Sequence, residues 1–182
     1  MIMTEEIVTV MDTLQSKGYE VFLVGGFVRD SIMEKRADDA DFATNATPDE
    51  MLSAFKDFRT LTKGLKHGTI TVIINHKPFE ITTYRTEKGY SDCRHPDEVA
   101  FAERIEDDLS RRDFTVNSIA FNPITGYVDP YGGKSDIEKK IIRCVGDPET
   151  RFTEDALRIL RGLRFSSVLS FSIDEETEKA MF

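Results

Sequence analysis

Two short segments determine how this sequence is interpreted: Leu23-Val24-Gly25-Gly26-Phe27-Val28-Arg29-Asp30 and, after a polar passage, Asp39-Ala40-Asp41-Phe42-Ala43-Thr44. The pattern predicts an apolar strand, a glycine turn, a short helix beginning near Arg29, and a second strand with two acids. Side chains two positions apart on a strand share a face, so Asp39 and Asp41 are expected to present their carboxylates side by side. Such carboxylates repel each other unless a cation lies between them.

These residues alone leave two interpretations open. Gly and Asp are common turn formers, so the segments fit an ordinary tight turn followed by a solvated loop. They also fit a magnesium–nucleotide site, in which the N–H groups of Gly25 and Gly26 approach phosphate and Arg29 clamps it. The paired carboxylates would then hold hard metal ions through oxygen.

Composition indicates a folded protein in which any nucleic-acid contact is local. The 182 residues are 40% hydrophobic, which is enough for the core of one or two small domains. Charged residues make up 31% of the chain and give a net charge of −9. This balance argues against a generally basic coat but leaves room for a basic groove.

The sequence favours a cytoplasmic location without membrane contact. No apolar run approaches the ~18 residues needed to cross a bilayer, and residues 1–6 carry acids rather than a basic-then-apolar signal. Cys93 and Cys144 lie far apart without a metal-ligand spacing, which is typical of free thiols in a reducing compartment.

A β-hairpin is predicted over residues 68–74 and 79–84, both of which are rich in β-branched and aromatic residues. Glu80 is the acid inside the second strand. It fits an exposed alternate position, but if its strand lies beside the strand of Asp39 and Asp41, it becomes a third carboxylate at the metal ions.

The next segment, residues 85–104, turns polar and predicts a long surface loop, which is a kind of segment that often carries function. The acids at 106–108 fit a solvated helix start.

Two interpretations are open for the next motif, which contains Arg112, Asp113 and Asn117. In one, it is a surface helix with internal ion pairs. In the other, Arg112 meets a phosphate, while Asp113 and Asn117, on one helical face, hydrogen-bond sugar hydroxyls.

A helix is predicted over residues 151–165, with Thr153 as its N-cap. Charged residues step along it by three, beside an apolar row that is expected to pack: Asp155, Arg158, Arg161 and Arg164, and Leu157, Leu160 and Leu163. Solvated helices also carry regular charges. Alternatively, an Asp/Arg couple one turn apart reads the hydrogen-bonding edge of a base, and the remaining arginines hold a triphosphate.

Four motifs, in order, resemble the class II tRNA nucleotidyltransferases, the family of bacterial CCA-adding enzymes and bacterial poly(A) polymerases. They are Gly-Gly-Phe-Val-Arg-Asp at 25–30, Asp-Ala-Asp at 39–41, Arg-Arg-Asp-Phe-Thr-Val-Asn at 111–117 and Glu-Asp-Ala-Leu-Arg-Ile-Leu-Arg-Gly-Leu-Arg-Phe at 154–165. The strand and helix pattern already suggests an α+β domain with a small mixed sheet backed by helices. The resemblance implies the polymerase-β-like nucleotidyltransferase head, with residues 1–147 as catalytic head and 148–182 as the start of a helical neck that continues in the family into body and tail domains.

The resemblance also implies a role for each matching residue. The catalytic carboxylates would be Asp39 and Asp41, as ligands of Mg²⁺, together with Glu80. The nucleotide-binding residues would be Gly25, Gly26 and Arg29 for the triphosphate, Arg112, Asp113 and Asn117 for ribose and phosphate, Asp155 and Arg158 as the amino-acid template for C or A, and Arg161 and Arg164 as further arginines at the nucleotide.

The implied reaction is template-independent, two-metal addition of CMP and AMP, from CTP and ATP, to the 3′ end of tRNA. Lys66-His67-Gly68-Thr69 and residues 154–158 resemble the CCA-adding branch more than the poly(A) branch, and the long segment 85–104 favours full CCA addition. A poly(A) polymerase, an A-adding tRNA nucleotidyltransferase, and a nucleotide- or RNA-binding fragment that is inactive without C-terminal domains remain as alternatives.

Overall fold

The helices and strands alternate irregularly along the chain, as expected for the predicted α+β class. The structure, a computed structural model, describes residues 3–37, 39–92, 94 and 96–182; Cys93 lies outside these residues. The helices are α1 (Glu5–Gln15), α2 (Gly26–Ile32), α3 (Pro48–Ala54), α4 (Ile105–Ser110), α5 (Gly133–Lys139), α6 (Pro148–Glu154), α7 (Leu157–Leu169) and α8 (Glu175–Lys179). The strands are β1 (Val21–Val24), β2 (Asp41–Thr44), β3 (Arg59–Leu61), β4 (Thr69–Ile74), β5 (Lys77–Thr83), β6 (Arg85–Lys88), β7 (Glu98–Phe101), β8 (Ala120–Asn122), β9 (Gly126–Val128), β10 (Ile141–Ile142) and β11 (Ser172–Ile173).

Seven strands form one mixed sheet in the order β3-β4-β5-β2-β1-β8-β9. Strand β2 runs parallel to β5, while its other neighbour β1 is antiparallel. The register places Asp41 beside Val24 on one side and beside Glu80 on the other. The condition under which Glu80 joins the two acids is therefore met, because the hairpin adds β5 directly to β2.

Alternation of apolar side chains directs one face of this sheet into the main core. Along β4, Ile70, Val72 and Ile74 are buried while their neighbours are half-buried. They share the core with Leu14 of α1 and Phe55, which follows α3. A smaller cluster on the central strands joins Phe22, Val24, Ala43 and Ala120 with Tyr84 and with Ile105 and Leu109 of α4. Helices thus cover the sheet around β1 and β2, where the glycine turn and Asp41 lie.

Local side chains cap two helices, and the predicted β-hairpin is confirmed. Thr4 caps α1 by accepting a hydrogen bond from the backbone N–H of Ile7, and Thr47 with Glu50 forms a capping box at α3. The β4–β5 hairpin turns through two residues, Asn75 and His76, whose φ angles of 48° and 64° are those of a type I′ turn.

Two predictions about the middle of the chain are wrong. Residues 85–104 do not form a structureless loop, because β6 and β7 pair as an antiparallel two-stranded sheet. Asp108 is not a solvated helix start: it is 1% exposed and accepts hydrogen bonds from Arg111 and Arg112. These two guanidinium groups compensate the burial of the carboxylate.

The helix predicted over residues 151–165 is two helices. Asp147 caps α6 with Pro148 in its first turn, so Thr153 is not the N-cap, and the chain is extended at Asp155 before α7 begins. The apolar row does not pack: its three members are between 41% and 63% exposed, namely Leu157, Leu160 and Leu163. The break at Asp155 turns α7 so that Arg158 and Gly162 are buried instead.

Residues 148–182 share the main core with the sheet. Phe152, Leu169, Phe171 and Met181 belong to the same buried cluster as Phe114, and β11 pairs in parallel with β10. The division near residue 147 stays a prediction about function. Among the described residues, none of the helices has the length and apolar character that a bilayer span requires, and Cys144 is a buried free thiol.

Candidate active site

An open cleft of about 440 Å³ lies where the glycine turn, residues 111–117 and the α6–α7 break meet. Ten residues proposed from the sequence line it: Gly25, Gly26, Arg29, Asp41, Arg112, Asp113, Asn117, Asp155, Arg158 and Arg161. The structure therefore brings together residues that are distributed from the first strand to the long helix α7.

The glycine turn places backbone directly against two guanidinium groups. Gly25 has a φ of +70° and a ψ of −139°, a conformation that L side chains rarely adopt. A Cβ atom added at Gly25 would lie 3.5 Å from Nη1 of Arg112, and one added at Gly26 would lie 3.5 Å from Nη2 of Arg29. The absence of side chains keeps this wall of the cleft open beside both arginines.

Four of the lining residues form a hydrogen-bonded row across the cleft. Arg29, which is 8% exposed, donates from Nη1 to Oδ1 of Asn117 at 2.6 Å. Asn117 donates from Nδ2 to Oδ1 of Asp113 at 3.3 Å. Asp113 in turn accepts from Nε and Nη2 of Arg161, at 2.7 and 2.6 Å. The row links α2 to α7 through the turn between them.

Asp113 and Asn117 meet, but they do not lie on one helical face as predicted. Phe114 is extended and forms a β-bridge with Cys144. The N–H of Thr115 donates to the carbonyl of Arg143, and that of Val145 to the carbonyl of Asp113. These bonds use the groups that an α-helix would need, so the chain makes a short 3-10 turn at residues 115–117.

The three candidate metal-ligating or catalytic acids surround the start of β2. Asp41 opens the strand, whereas Asp39 precedes it and is exposed, so the expectation that both acids share one strand is wrong. The pairing ends at Val24 and Asp41 because β1 gives way to the glycine turn there. Asp39 and Glu80 do not line the cleft.

The carboxylate of Asp41 has a raised pKa. Although its side chain is accessible from the cleft, the surrounding protein removes water from the carboxylate, and this desolvation, with the charges of Glu80 and Asp39, raises the pKa of Asp41 to about 6. The guanidinium of Arg112 acts in the opposite direction. Within the described part of the chain, no group of three or more His, Cys, Asp or Glu side chains is arranged to hold a metal ion.

At the other end of the cleft, the α6–α7 break presents Asp155 and Arg158. Oδ1 of Asp155 accepts from the N–H of Leu157 at 3.0 Å and so caps the first turn of α7. Arg158 is 6% exposed and donates to Oε2 of Glu154 at 2.8 Å, with its guanidinium 5.9 Å from the ring centre of Tyr90. Arg164, by contrast, is exposed and does not line the cleft.

Sequence reasoning missed three residues that line the cleft: Glu87, Arg111 and Phe165. Glu87 of β6 accepts from Arg111 at 3.0 Å and from the hydroxyl of Tyr90 at 2.9 Å. Asp108 lies three residues before Arg111 and four before Arg112, and this spacing was a usable signal for Arg111. The sequence offered no such signal for Glu87, because only the pairing of β6 with β7 brings Glu87 to the cleft.

Comparison with known proteins gives a consistent result. The family described as the Poly A polymerase head domain matches residues 21–143. CCA-adding enzymes of Lactobacillus helveticus (strain DPC 4571) and Geobacillus sp. (strain WCH70) are 45% and 46% identical over 172 residues, which is 94% of this chain but 43% and 42% of theirs.

Solved structures of CCA-adding enzymes and tRNA nucleotidyltransferases are similar to this chain. The Bacillus stearothermophilus CCA-adding enzyme in complex with CTP superposes with a TM-score of 0.87 at 39% identity, covering 97% of this chain and 42% of that one. A tRNA nucleotidyltransferase complexed with a primer tRNA and an incoming ATP analog gives 0.77 at 30% identity, covering 94% and 48%. The chain therefore spans less than half the length of each of these proteins.

Proposed function

The chain belongs to the Poly A polymerase head domain family, and from this premise we propose that it is the catalytic head of a CCA-adding tRNA nucleotidyltransferase. The proposed reaction adds CMP and AMP, from CTP and ATP, to the 3′ end of tRNA in the cytoplasm. The observation that carries the proposal is the meeting of carboxylates and guanidiniums at the glycine turn. Asp41 pairs with Val24 directly before that turn, and Arg112 lies against Gly25.

The acids fit a divalent cation of the Mg²⁺ kind by their chemistry. Carboxylate oxygens are the ligands that such cations prefer. Desolvation and, after it, the charges of Glu80 and Asp39 raise the pKa of Asp41, and a cation would relieve the repulsion among these acids. Asp39 and Asp41 would hold two such ions, with Glu80 as the third acid. When bound, one ion would lower the pKa of the RNA 3′-hydroxyl, and the other would stabilise charge on the triphosphate and the departing pyrophosphate.

The remaining residues bind and orient the substrates. Gly25, Gly26, Arg29 and Arg112 offer N–H donors and positive charge to the triphosphate. Asp113 and Asn117 carry acceptors and a donor suited to ribose hydroxyls. Asp155 and Arg158 would read the edge of C or A, and Arg161 and Arg164 supply further positive charge.

In the proposed transfer, the 3′-hydroxyl oxygen of the RNA forms a bond to the α-phosphorus of the nucleotide. The bond from that phosphorus to the bridging oxygen breaks, and pyrophosphate leaves. Glu80 lies opposite Asp41 across the β2–β5 pair and is the proposed acceptor of the hydroxyl proton.

The proposal is tested with tRNA that lacks its 3′ CCA, incubated with the chain, CTP, ATP and Mg²⁺. We expect extension by C, C and A, and Asp41→Ala should reduce it to background while the circular dichroism spectrum and CTP-free thermal unfolding remain those of a folded protein. Thr71→Ala, in the strand on the other side of β5, is the control and should remain active. Full activity of Asp41→Ala would overturn the metal-ligand assignment.

A further inference from the structure

We propose that Phe165 is a positioning residue for the nucleotide: one aromatic ring holds the guanidinium groups of Arg29 and Arg161 in a fixed relation to each other. The inference rests on the proposed function, in which both arginines bind the triphosphate. Phe165 lines the cleft and is half-buried.

The ring lies close to both cations. The guanidinium carbon of Arg29 is 5.5 Å from the ring centre of Phe165, and that of Arg161 is 5.3 Å from it. Both distances fall within the ~6 Å over which a cation is attracted to an aromatic face. Each arginine is also paired with an acid, Arg29 with Asp30 at 2.8 Å and Arg161 with Asp113 at 2.6 Å. The paired acids reduce the repulsion between two guanidiniums that share one ring.

The core fixes the ring in place. Phe165 makes an edge-to-face contact with the fully buried Phe114, with ring centres 5.9 Å apart and planes at 81°. One turn earlier on α7, a Cβ atom added at Gly162 would come within 2.9 Å of Phe114 and 2.6 Å of Met181. The missing side chain at Gly162 therefore lets α7 approach the core, and this approach sets the depth of the ring.

Hydrogen bonds and the ring restrain different parts of each arginine. The bonds to Asn117 and Asp113 hold the N–H groups of Arg29 and Arg161, whereas the ring of Phe165 attracts the guanidinium carbons of both. Long side chains that are held only at one end retain rotamer freedom, which they lose on binding phosphate. An aliphatic side chain would fill the volume of the ring but would lack its negative face.

The test measures binding of CTP and of inorganic triphosphate, each with Mg²⁺, by isothermal titration calorimetry. The variants are Phe165→Leu, Phe165→Tyr and Phe58→Leu. Phe58 is the matched control, because it is also half-buried and also makes an edge-to-face contact, with Phe55 at 5.8 Å, and it follows α3 without lining the cleft. We expect Phe165→Leu to weaken both ligands about tenfold, by the same factor, and the other two variants to bind like the wild type.

A second arm asks whether the ring acts through the arginines. In combination with Arg161→Lys, Phe165→Leu should add less than its effect in the wild type, because the planar cation that it supports is already gone. Full additivity would overturn the proposal, as would a Phe165→Leu effect on CTP alone, which would place the ring at the base. A wild-type chain that binds neither ligand overturns the proposed function itself, whereas unchanged binding by Phe165→Leu removes only the role of this ring.

Discussion

Asp108 holds two of the arginines that line the cleft, Arg111 and Arg112. Its carboxylate, 1% exposed, accepts from Arg111 at 2.8 Å and from Arg112 at 3.0 Å. Burial raises the pKa of Asp108, but the charges of Arg112 and Arg111 outweigh it and hold the pKa below its ordinary value of 3.8. Asp108 thus stabilises the fold in its ionised form and at the same time sets the position of Arg112, a proposed phosphate-binding residue.

We expect Asp108→Asn to lower the free energy of unfolding by about 3–5 kcal/mol, because two guanidiniums lose their buried countercharge. Asp107→Asn, at the exposed neighbouring position, should change it by less than about 0.5 kcal/mol. Urea denaturation at pH 7 measures both. Since the folded-state pKa is lowered, the stabilisation is complete above 3.8 and is lost as the pH falls through the lowered value. The difference between wild type and Asp108→Asn should therefore shrink in acid, and a constant difference would contradict the ionic origin.

At the scale of elements, the break between α6 and α7 shapes the end of the cleft that is proposed to read the base. Asp155 has two tasks there: its carboxylate caps the N–H of Leu157, and it is the proposed acceptor of a hydrogen bond from a base amine. The φ of −143° at Asp155 turns α7, so that Arg158 enters the cleft while the leucine row faces outward. Helix capping and the proposed base selection thus share one side chain.

These two tasks can be separated by substitution. Asp155→Ala should lose the cap, at a cost of about 0.5–2 kcal/mol, and should also lose the preference for CTP and ATP over UTP and GTP. Asp155→Asn keeps an oxygen that can cap, so it should recover most of the stability without recovering the preference. Thermal unfolding and single-nucleotide incorporation measure the two effects, and an Asn variant with wild-type selectivity would argue against a role of the charge.

Element by element, the sequence was informative where the signal is local. The β4–β5 hairpin follows from residues within a few positions of each other, and the structure has it as predicted. The caps at Thr4 and Thr47 are equally local. The break at Asp155 was missed because the apolar spacing continues unchanged across it. The paired β6 and β7 were missed because their polar composition resembles a loop, and only pairing across the hairpin distinguishes the two.

At the candidate site, too, residues with a local signal were identified and residues brought in by the fold were not. Residue types, spacing and the family resemblance identified ten of the lining residues, since each is a charged residue, a glycine or, at Asn117, an amide in a short motif. Phe165 and Glu87 were not identified, because a half-buried aromatic residue and an acid on a short strand look ordinary in sequence. Their relevance comes from the distance to Arg29 and Arg111, which only the folded chain defines.

At the scale of the whole molecule, the last 35 residues complete the core as well as the cleft. Phe152, Leu169, Phe171 and Met181 pack in one cluster with Phe114, whose neighbour Asp113 is part of the hydrogen-bonded row. Arg143 forms ion pairs with Asp136 at 3.1 Å and with Asp174 at 2.6 Å. The predicted functional division near residue 147 therefore does not coincide with a gap in packing.

We accordingly expect residues 1–182 to unfold in one cooperative transition, and residues 1–147 alone to show no sharp transition, since Phe114 would lose its apolar partners. Circular dichroism and differential scanning calorimetry can follow the thermal unfolding of both chains. A shortened chain that unfolds cooperatively near the temperature of residues 1–182 would show that the head is an independent folding unit.

The parallel pairing of β2 with β5 also sets the order in which this site can arise during synthesis. The β4–β5 hairpin needs only its own residues and can form on a microsecond scale. Asp41 gains Glu80 as a neighbour only when that hairpin docks onto β2, and the central strand β1 needs β8, which the ribosome delivers much later. Arg161 and Phe165 emerge later still. A nascent chain therefore carries the acids proposed to hold the metal long before it has the residues of α7 that are proposed to bind the nucleotide.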